Sequence, residues 1–253
     1  MERLDGRAAV VTGGGSGIGL ALAGSLLERE NEVVVCARRE EKLEAARRRY
    51  PGLKAHRCDV SDAGDRQRLL ESIARDGLAV NVLINNAARM RPYDFTDVDG
   101  LDMEDVRQEI AANFIAPVEL IHLFLPMLLG RPDPTIINVS SPGGVVPVTR
   151  VPVYCASKAA LSSFTRSLRR QLVGKVRVIA LYPPSVETEM MEGIDLPKIS
   201  VEACSREIMR RLAGDDDEVW IGEGRYIPLF SRLAPGWIFE IVNRAANRTV
   251  ARA

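Results

Sequence analysis

The sequence predicts a single α/β domain built on a doubly wound parallel sheet. Short apolar runs alternate with amphipathic stretches along its 253 residues. The central runs are apolar on both faces, which is typical of strands buried between two layers of helices. No repeat, low-complexity segment or linker divides the chain, so we expect one domain over residues 1–253.

Six strands are predicted, and helical patterns separate them. The strands are expected at residues 8–12, 32–37, 54–60, 80–87, 135–141 and 176–183. Ile18, Leu22 and Leu26 recur at helical spacing after the first strand, and Leu161 and Leu168 do so before the last. Strands and helices that alternate in this way form right-handed β-α-β units, with helices on both faces of the sheet.

Charge and cysteine content argue against several kinds of partner. The 34 basic residues balance the 34 acidic ones, so we expect no general attraction to nucleic acid or anionic lipid. The four cysteines form no CxxC pair. We therefore expect buried free thiols in a reducing compartment rather than a metal site.

The most apolar long stretch, residues 115–130, is predicted to be a core helix. It contains Pro117, Glu119, His122 and Pro126, and these residues interrupt it too often for a comfortable membrane span. The first residues carry charges and a short apolar run, without the long apolar core of a signal peptide. We therefore expect a cytoplasmic protein without a membrane partner.

A glycine-rich turn, TGGGSGIG at residues 12–19, follows the first strand and leads directly into a helix. Glycines let the backbone turn tightly beside a pyrophosphate, and a helix N-terminus offers unpaired N–H groups to the anion. This context predicts a dinucleotide site on a Rossmann-type fold. The alternative is a plain glycine-rich loop between a strand and a helix.

The end of the second predicted strand indicates which dinucleotide is preferred. A fold of this kind that prefers NAD carries an acidic residue there, which binds the ribose 2′-hydroxyl. Ala37 stands at that position, and Arg38 and Arg39 follow. A guanidinium matches a 2′-phosphate, so we expect NADP(H) to be favoured over NAD(H). The alternative is a solvated, charged helix start.

Tyr154 and Lys158 are four residues apart, and Ser141 precedes the tyrosine by thirteen. Four residues make about one helical turn, so the phenol and the ammonium are expected on one face. A neighbouring positive charge favours the phenolate, which makes the pair a candidate acid or base. The alternative is an exposed tyrosine beside a solvated lysine.

Asn113 is expected in a helix, with Pro117 four residues later. Residue i+4 normally donates its N–H to the carbonyl of residue i, but proline has no N–H. The main-chain carbonyl of Asn113 is therefore expected to be free for another donor. The alternative is a packing kink without a functional role.

These motifs together resemble the short-chain dehydrogenase/reductase family. TGGGSGIG is similar to its glycine turn, NNA at residues 85–87 to its motif after the fourth strand, and YCASK at residues 154–158 to its Tyr and Lys motif. The resemblance covers residues 4–190. RVPVYCASKAAL and YPPSVET also resemble the branch that includes the DltE oxidoreductases.

The resemblance implies a role for each candidate site residue. Tyr154 would be the general acid or base, Lys158 would lower the pKa of its phenol, and Ser141 would hold the substrate oxygen. Asn113 would hold a water in a proton relay through its main-chain carbonyl. The residues expected at the cofactor are Gly13, Gly15, Ser16, Gly17, Ile18, Arg38, Arg39, Asp59, Val60, Asn86, Ala87, Ala88, Tyr154, Lys158, Pro183, Val186 and Thr188.

Two positions depart from the family pattern. Ala88 stands where the family has glycine after NNA, and Pro184 stands where it has glycine after the sixth strand. The methyl group could crowd the neighbouring loop, and the second proline removes an N–H near the nicotinamide. We expect both changes to reshape the pocket without abolishing cofactor binding.

The substrate pocket is expected between residues 142–146, 89–93 and 150–151 and a lid at about 189–200. Met190 and Met191 suggest an adaptable apolar wall, although paired methionines are as often core. A C-terminal extension over about 225–253 would pack on the domain or pair subunits, and the alternative is contact with a membrane surface. The family resemblance implies a homodimer or homotetramer.

The function expected is NADP(H)-dependent interconversion of a ketone or aldehyde and an alcohol by hydride transfer. One alternative is a non-catalytic dinucleotide sensor on the same fold, although a sensor need not keep the acid. A second is a sugar-nucleotide epimerase or dehydratase, for which the chain leaves little room for a substrate domain.

Overall fold

The computed structural model describes residues 4–192, 194 and 196–247, and seven strands lie in this part of the chain. The strands are β1 Ala8–Thr12, β2 Glu32–Ala37, β3 Lys54–Arg57, β4 Val82–Asn85, β5 Thr135–Val139, β6 Arg177–Tyr182 and β7 Glu218–Trp220. All neighbours are parallel, in the order β3-β2-β1-β4-β5-β6-β7. The parallel sheet predicted from the sequence is confirmed.

The helices cover both faces of this sheet. They are α1 Gly17–Leu27, α2 Glu40–Arg49, α3 Ala63–Arg75, α4 Met103–Ile110, α5 Ala116–Leu129, α6 Pro152–Gln171, α7 Val201–Leu212, α8 Ile227–Leu233 and α9 Pro235–Asn247. One core cluster packs α1, α2 and α7 against the sheet, and a second packs α3, α5 and α6. The doubly wound architecture is therefore confirmed.

Strand β1 shows why an apolar residue at every position predicts a strand that is buried on both faces of the sheet. Ala9 and Val11 belong to one core cluster, whereas Val10 belongs to the other. Side chains alternate across a strand, so a strand buried on both sides needs apolar residues at every position. Burying a valine contributes roughly 1.5–3 kcal/mol relative to an exposed one.

Four predicted strands, β3, β4, β5 and β6, are shorter in the structure. Polar side chains end two of them. After β3, Asp59 accepts a hydrogen bond from the Ser61 N–H at 2.9 Å, which turns the chain away from the sheet. After β4, the N–H groups of Asn86 and Ala87 donate to the Thr12 hydroxyl instead of a neighbouring strand.

Strand β7 was not predicted. Its three residues pair with β6, and the Trp220 ring stacks on Tyr182 with centroids 3.9 Å apart. Three residues carry too little periodicity for a prediction, so this edge of the sheet is defined by tertiary packing.

The helix around Asn113 also differs from the prediction. Between α4 and α5 the residues Ala111–Ile115 have π geometry, and the Ala116 N–H donates to the Ala111 carbonyl. An α-helix cannot complete its ladder at Pro117, which has no N–H, and a π turn is one way to accommodate this. Such turns are frequent at functional sites.

The combined helix Met103–Leu129 is long and apolar enough to cross a membrane by length and composition. Leu120, Phe124 and Leu128 nevertheless lie buried in a core cluster beneath the sheet. A helix that forms part of a protein core passes the same test, so this finding is weak support for a membrane span.

The described part of the C-terminal extension folds back toward the start of α6. The Asn243 side chain accepts from the Thr149 N–H at 2.8 Å and donates to the Pro147 carbonyl at 3.0 Å. These bonds fix α9 beside the loop that precedes Tyr154. Residues 248–253 of the predicted extension lie outside the described residues, as do 193 and 195 of the predicted lid.

Candidate active site

The glycine turn lies at the carboxyl end of β1, where the strand order reverses between β1 and β4. Gly13 has a φ of +66°, and a Cβ there would lie 2.8 Å from the Ala87 Cα. Gly17 has a φ of +55°. Only glycine takes up this backbone without strain and leaves the turn open to a ligand. Ligands of open α/β sheets bind at this topological switch point.

The Thr12 hydroxyl fixes the turn to the neighbouring loop. It accepts from the N–H groups of Asn86 and Ala87 at 2.9 and 3.0 Å, and it lies 3.3 Å from the Ile84 carbonyl. The Asn86 side chain donates to the Thr12 carbonyl at 2.9 Å. The two loops that border the crevice are therefore one rigid unit.

The start of α1 is open toward the crevice. Among the described residues, no side-chain bond from Ser16 caps this helix, and its first turn contains no acidic residue. The first N–H groups of a helix lack partners within it and carry partial positive charge. These features, together with the tight glycine cradle, fit the pyrophosphate of a dinucleotide.

Basic side chains border the far side of the crevice, beyond β2. Arg38 lies 3.9 Å from the Asp59 carboxylate. Arg39 forms an ion pair with Glu189 at 2.6 Å, and Lys42 forms a second ion pair with the same carboxylate. Bonds from Lys42 and Arg39 lower the pKa of Glu189. Neither Lys42 nor Glu189 was predicted at the cofactor, although Glu189 begins the predicted lid.

One continuous cavity of about 810 Å³ joins these features. Every residue expected at the cofactor lines it: Gly13, Gly15, Ser16, Gly17, Ile18, Arg38, Arg39, Asp59, Val60, Asn86, Ala87, Ala88, Tyr154, Lys158, Pro183, Val186 and Thr188. Ser141 lines the cavity as well, whereas the buried Asn113 lies behind its wall.

Tyr154, Ser141 and Lys158 meet near the middle of this cavity. Ser141 lies close enough to the Tyr154 phenol to lower its pKa. The Lys158 ammonium lies 5.7 Å from the centre of the tyrosine ring and donates to the Val139 carbonyl at 2.7 Å. The spacing along α6 therefore brings the phenol and the ammonium together, as expected.

Burial, however, shifts these groups in an unexpected direction. It raises the pKa of Tyr154 to about 12, although the neighbouring Ser141 side chain lowers it. It also lowers the pKa of Lys158 to about 8. The expected lowering of the phenol pKa is not found, because desolvation of Tyr154 has the largest effect.

The Asn113 side chain joins the loop after β4 to helix α6. Its oxygen accepts from the Arg89 N–H, and its nitrogen donates to the Arg89 carbonyl, both at 2.8 Å. The same nitrogen donates to the Ser157 hydroxyl at 3.0 Å, which in turn donates to the Tyr154 carbonyl at 2.7 Å. This chain of bonds holds the wall of the cavity in register with Tyr154.

The family model described as short chain dehydrogenase matches residues 7–198. The chain belongs to the short-chain dehydrogenase family. It is similar to the uncharacterized oxidoreductase DltE of Bacillus subtilis, with 42% identity over 71% of each chain. It is also similar to a tropinone reductase homolog of Datura stramonium, with 32% identity over 85% of this chain and 83% of the relative.

A crystal structure of a short-chain dehydrogenase from Burkholderia cenocepacia in complex with NADP superimposes with a TM-score of 0.83. It shares 29% identity, over 95% of this chain and 98% of that one. As a member of the short-chain dehydrogenase family, this chain is an oxidoreductase that acts on CH–OH groups with a nicotinamide cofactor.

Both departures from the short-chain dehydrogenase pattern lie at the cavity. Ala88 and Pro184 line it, beside the predicted cofactor residues Ala87 and Pro183. A side chain at each of these positions narrows the crevice relative to glycine. They are therefore positions where this family member shapes its own pocket.

The opposite end of the cavity is mostly apolar. Residues from the predicted substrate walls line it, among them Met90, Val146, Val151, Met190 and Met191. The C-terminal extension also contributes to this wall, through Ile227 of α8 and Val242 and Ala246 of α9. That contribution was not predicted, because no motif in those helices indicates a pocket.

A buried acid near Tyr154 was also missed. Glu109 is fully buried on α4 and accepts a hydrogen bond from the Tyr93 hydroxyl at 2.9 Å. Its other oxygen has no hydrogen-bond partner among the described residues. Burial raises the pKa of this carboxyl, and its charge would raise the pKa of Tyr154.

All four cysteines are buried free thiols. Within the described residues, no group of three or more His, Cys, Asp or Glu is arranged to hold a metal ion.

Proposed function

We propose that this chain is an NADP(H)-dependent oxidoreductase that interconverts a ketone or aldehyde and an alcohol, with Tyr154 as general acid and base. The observation that carries the proposal is the meeting of Tyr154, Ser141 and Lys158 between a dinucleotide crevice and an apolar pocket. The dinucleotide supplies or takes up the hydride when it is bound.

The protonation of these groups favours Tyr154 as a proton donor. With a pKa raised to about 12, the phenol keeps its proton at neutral pH. As a carbonyl is reduced, negative charge develops on its oxygen, and Tyr154 transfers its proton there. Ser141 holds that oxygen, and the Lys158 ammonium stabilises the phenolate that remains.

In this proposal Asn113 takes part in returning a proton to Tyr154. We propose that its main-chain carbonyl holds a water that connects Lys158 to solvent. Pro117 supports this role because it supplies no N–H to that carbonyl. Through this route Tyr154 regains its proton after each turnover.

The basic border of the crevice supports NADP(H) over NAD(H). Arg38, Arg39 and Lys42 line the cavity beyond β2, and no acidic residue stands at positions 37–39 to bind a ribose 2′-hydroxyl. The related Burkholderia protein was crystallised with NADP.

The apolar end of the cavity supports a hydrophobic carbonyl substrate. Methionine and valine side chains line it, and Met190 and Met191 can adapt to irregular shapes. The segment at about 189–200 acts as the lid in this proposal.

The test is oxidation of NADPH and NADH over a panel of small and hydrophobic ketones and aldehydes. We expect turnover with NADPH preferred, and we expect Tyr154→Phe to lower kcat by about 100-fold or more while NADPH binding is kept. Tyr226→Phe is the matched control, because Tyr226 is exposed outside the cavity. Tight NADPH binding without turnover on any carbonyl would contradict the proposal, as would full activity of Tyr154→Phe.

A further inference from the structure

The segment that follows β6 crosses the cofactor crevice. Thr188 contacts the glycine turn, because a Cβ at Gly17 would lie 3.0 Å from the Thr188 Cγ2. A short turn, Glu189–Met191, begins at the next residue. The backbone of this segment therefore lies against the glycine turn, while the Glu189 side chain reaches the basic border beyond β2.

Glu189 spans the crevice by ion pairs. One carboxylate oxygen lies 2.6 Å from the Arg39 guanidinium, and the other contacts the Lys42 ammonium. Arg39 ends the loop after β2, and Lys42 lies in the first turn of α2. These two cations come from the border where the ribose 2′-substituent is expected.

A carboxylate and a phosphate compete for the same donors. Arginine binds both in a bidentate manner, and a lysine ammonium binds either oxyanion. The 2′-phosphate that distinguishes NADP from NAD needs cations at this border, and Glu189 already holds two of them. The cofactor that carries this phosphate must displace the carboxylate, whereas the cofactor with a 2′-hydroxyl need not.

We propose that Glu189 is a specificity-determining residue that occupies the 2′-phosphate site, so that NADPH releases it from Arg39 and Lys42 and NADH does not. This inference rests on the NADP(H) preference proposed above. It also connects the two ends of the cavity, because Met190 and Met191 of the same turn line the apolar pocket. Binding of the 2′-phosphate would thereby free the turn that borders the substrate.

The size of the effect follows from exposure. The Glu189 side chain is 44% exposed, and Arg39 and Lys42 are 51% and 34% exposed. Solvent screens ion pairs of this kind, and each contributes little. We therefore expect Glu189→Gln to tighten NADPH binding by roughly threefold to tenfold and to leave NADH binding nearly unchanged.

The experiment measures Kd for NADPH and for NADH with the wild-type protein, Glu189→Gln and Glu187→Gln. Glu187 is exposed on the same segment, and no ion pair joins it to any residue that the structure describes. Glu187→Gln changes the net charge by the same amount as Glu189→Gln, but it leaves the ion pairs of Arg39 and Lys42 intact. Glu189→Gln is also made in a protein that carries Arg39→Ala and Lys42→Ala, where we expect it to leave the Kd for NADPH unchanged.

The outcomes separate this inference from the proposed function. A wild-type protein that binds NADH as tightly as NADPH overturns the proposed cofactor preference. A wild-type preference for NADPH that Glu189→Gln leaves unchanged overturns only the role of Glu189. An equal gain in Glu187→Gln, or a gain that persists without Arg39 and Lys42, also overturns that role, because it would reflect net charge alone.

Discussion

Glu109 is a buried carboxyl whose surroundings disfavour its charge. The Tyr93 hydroxyl is a donor to one of its oxygens, and the other oxygen is unsatisfied among the described residues. Removal from water penalises the carboxylate more than the neutral acid, so the pKa of Glu109 is raised in the folded protein. Its charged form therefore costs stability at neutral pH.

We predict that stability depends on pH through this residue. Because the folded state holds the Glu109 proton more tightly, the unfolded state releases it first as pH rises above its ordinary value of 4.5. The wild-type protein should lose stability relative to Glu109→Gln as pH rises from about 4 to about 7. Thermal unfolding of both proteins across this range measures the difference.

Glu104→Gln is the control, because Glu104 lies on the same helix and its side chain is 60% exposed. Its melting temperature should follow that of the wild-type protein, apart from a small constant offset. A difference between wild type and Glu109→Gln that stays constant with pH would contradict the prediction.

Single residues differ in how well the sequence predicted them. Tyr154 and Lys158 carry a spacing that helix geometry translates into proximity, and the structure brings them together. Ser141 lies outside that helix, and only the family resemblance indicated that it would join them. Glu189 and Lys42 are 147 residues apart, and their ion pair depends on the whole chain fold. No short-range pattern indicates such a contact, and none indicates that burial raises the pKa of Tyr154.

Among the elements, the helix from α4 to α5 combines a π turn with two prolines that follow it. Asn113 lies within the π turn, and Pro117 and Pro126 lie in α5. Only the first proline is placed where its missing N–H affects the Asn113 carbonyl. The two prolines therefore form a natural pair for comparison.

We predict that Pro117→Ala lowers turnover without lowering stability. The new N–H can donate to the Asn113 carbonyl, complete the α-helical ladder and remove the acceptor that the proton relay needs. We expect kcat to fall roughly tenfold, since relayed proton transfer is part of acid–base catalysis. Steady-state kinetics and thermal unfolding measure the two effects.

Pro126→Ala tests whether any proline in this helix would act in the same way. It also restores an N–H, but nine residues farther along the chain. Its turnover should equal that of the wild-type protein. Equal losses in both variants would point to a general change of the helix and would argue against the relay.

The sequence predicted elements well where they are long or fully apolar. The bounds of β1 and β2 are those predicted, because glycine or charged residues flank each apolar run. The ends of β3 and β4 were extended too far, since Asp59 and Thr12 redirect the backbone by side-chain bonds. The π turn was not predicted. A proline indicates that the hydrogen-bond ladder of a helix is interrupted, but the surrounding packing decides whether a π turn forms there.

At the scale of the whole molecule, the long helix has apolar side chains that the chain itself leaves exposed. Met103, Ile115 and Leu129 are 48%, 40% and 48% exposed along Met103–Leu129. Another protein surface can cover such side chains. We propose that a second copy of the chain does so, as in the predicted homodimer or homotetramer.

We predict that Ile115→Glu shifts the protein toward the monomer, because a charge buried between two helices lacks a partner. Size-exclusion chromatography with light scattering gives the mass directly. Val98→Glu is the control, since Val98 is 79% exposed on the loop before α4, and it should keep the wild-type mass. A wild-type monomer would contradict the prediction.

The complete pocket could be predicted only in part, because its walls come from distant parts of the chain. Residues 89–93 and 142–151 adjoin recognisable motifs, and they were expected at the substrate. Val242 and Ala246 reach the same cavity because Asn243 holds α9 against the loop before α6. Ile227 of α8 reaches it by packing against the cluster that contains Tyr182 and Trp220. These wall residues are determined by how the C-terminal extension packs on the domain, and no local sequence pattern indicates them.

The four buried thiols can report separately on local opening in different regions of this molecule. Cys36, Cys58 and Cys155 line the cavity, whereas Cys204 lies on the buried face of α7. Burial keeps these sulfurs away from solvent and raises the pKa of Cys204 to about 12, so an alkylating reagent reacts only when the surrounding structure opens. The rate at which each thiol is labelled therefore measures how often the structure around it opens. Bound cofactor should slow the labelling of Cys36, Cys58 and Cys155, whereas the labelling rate of Cys204 should stay the same.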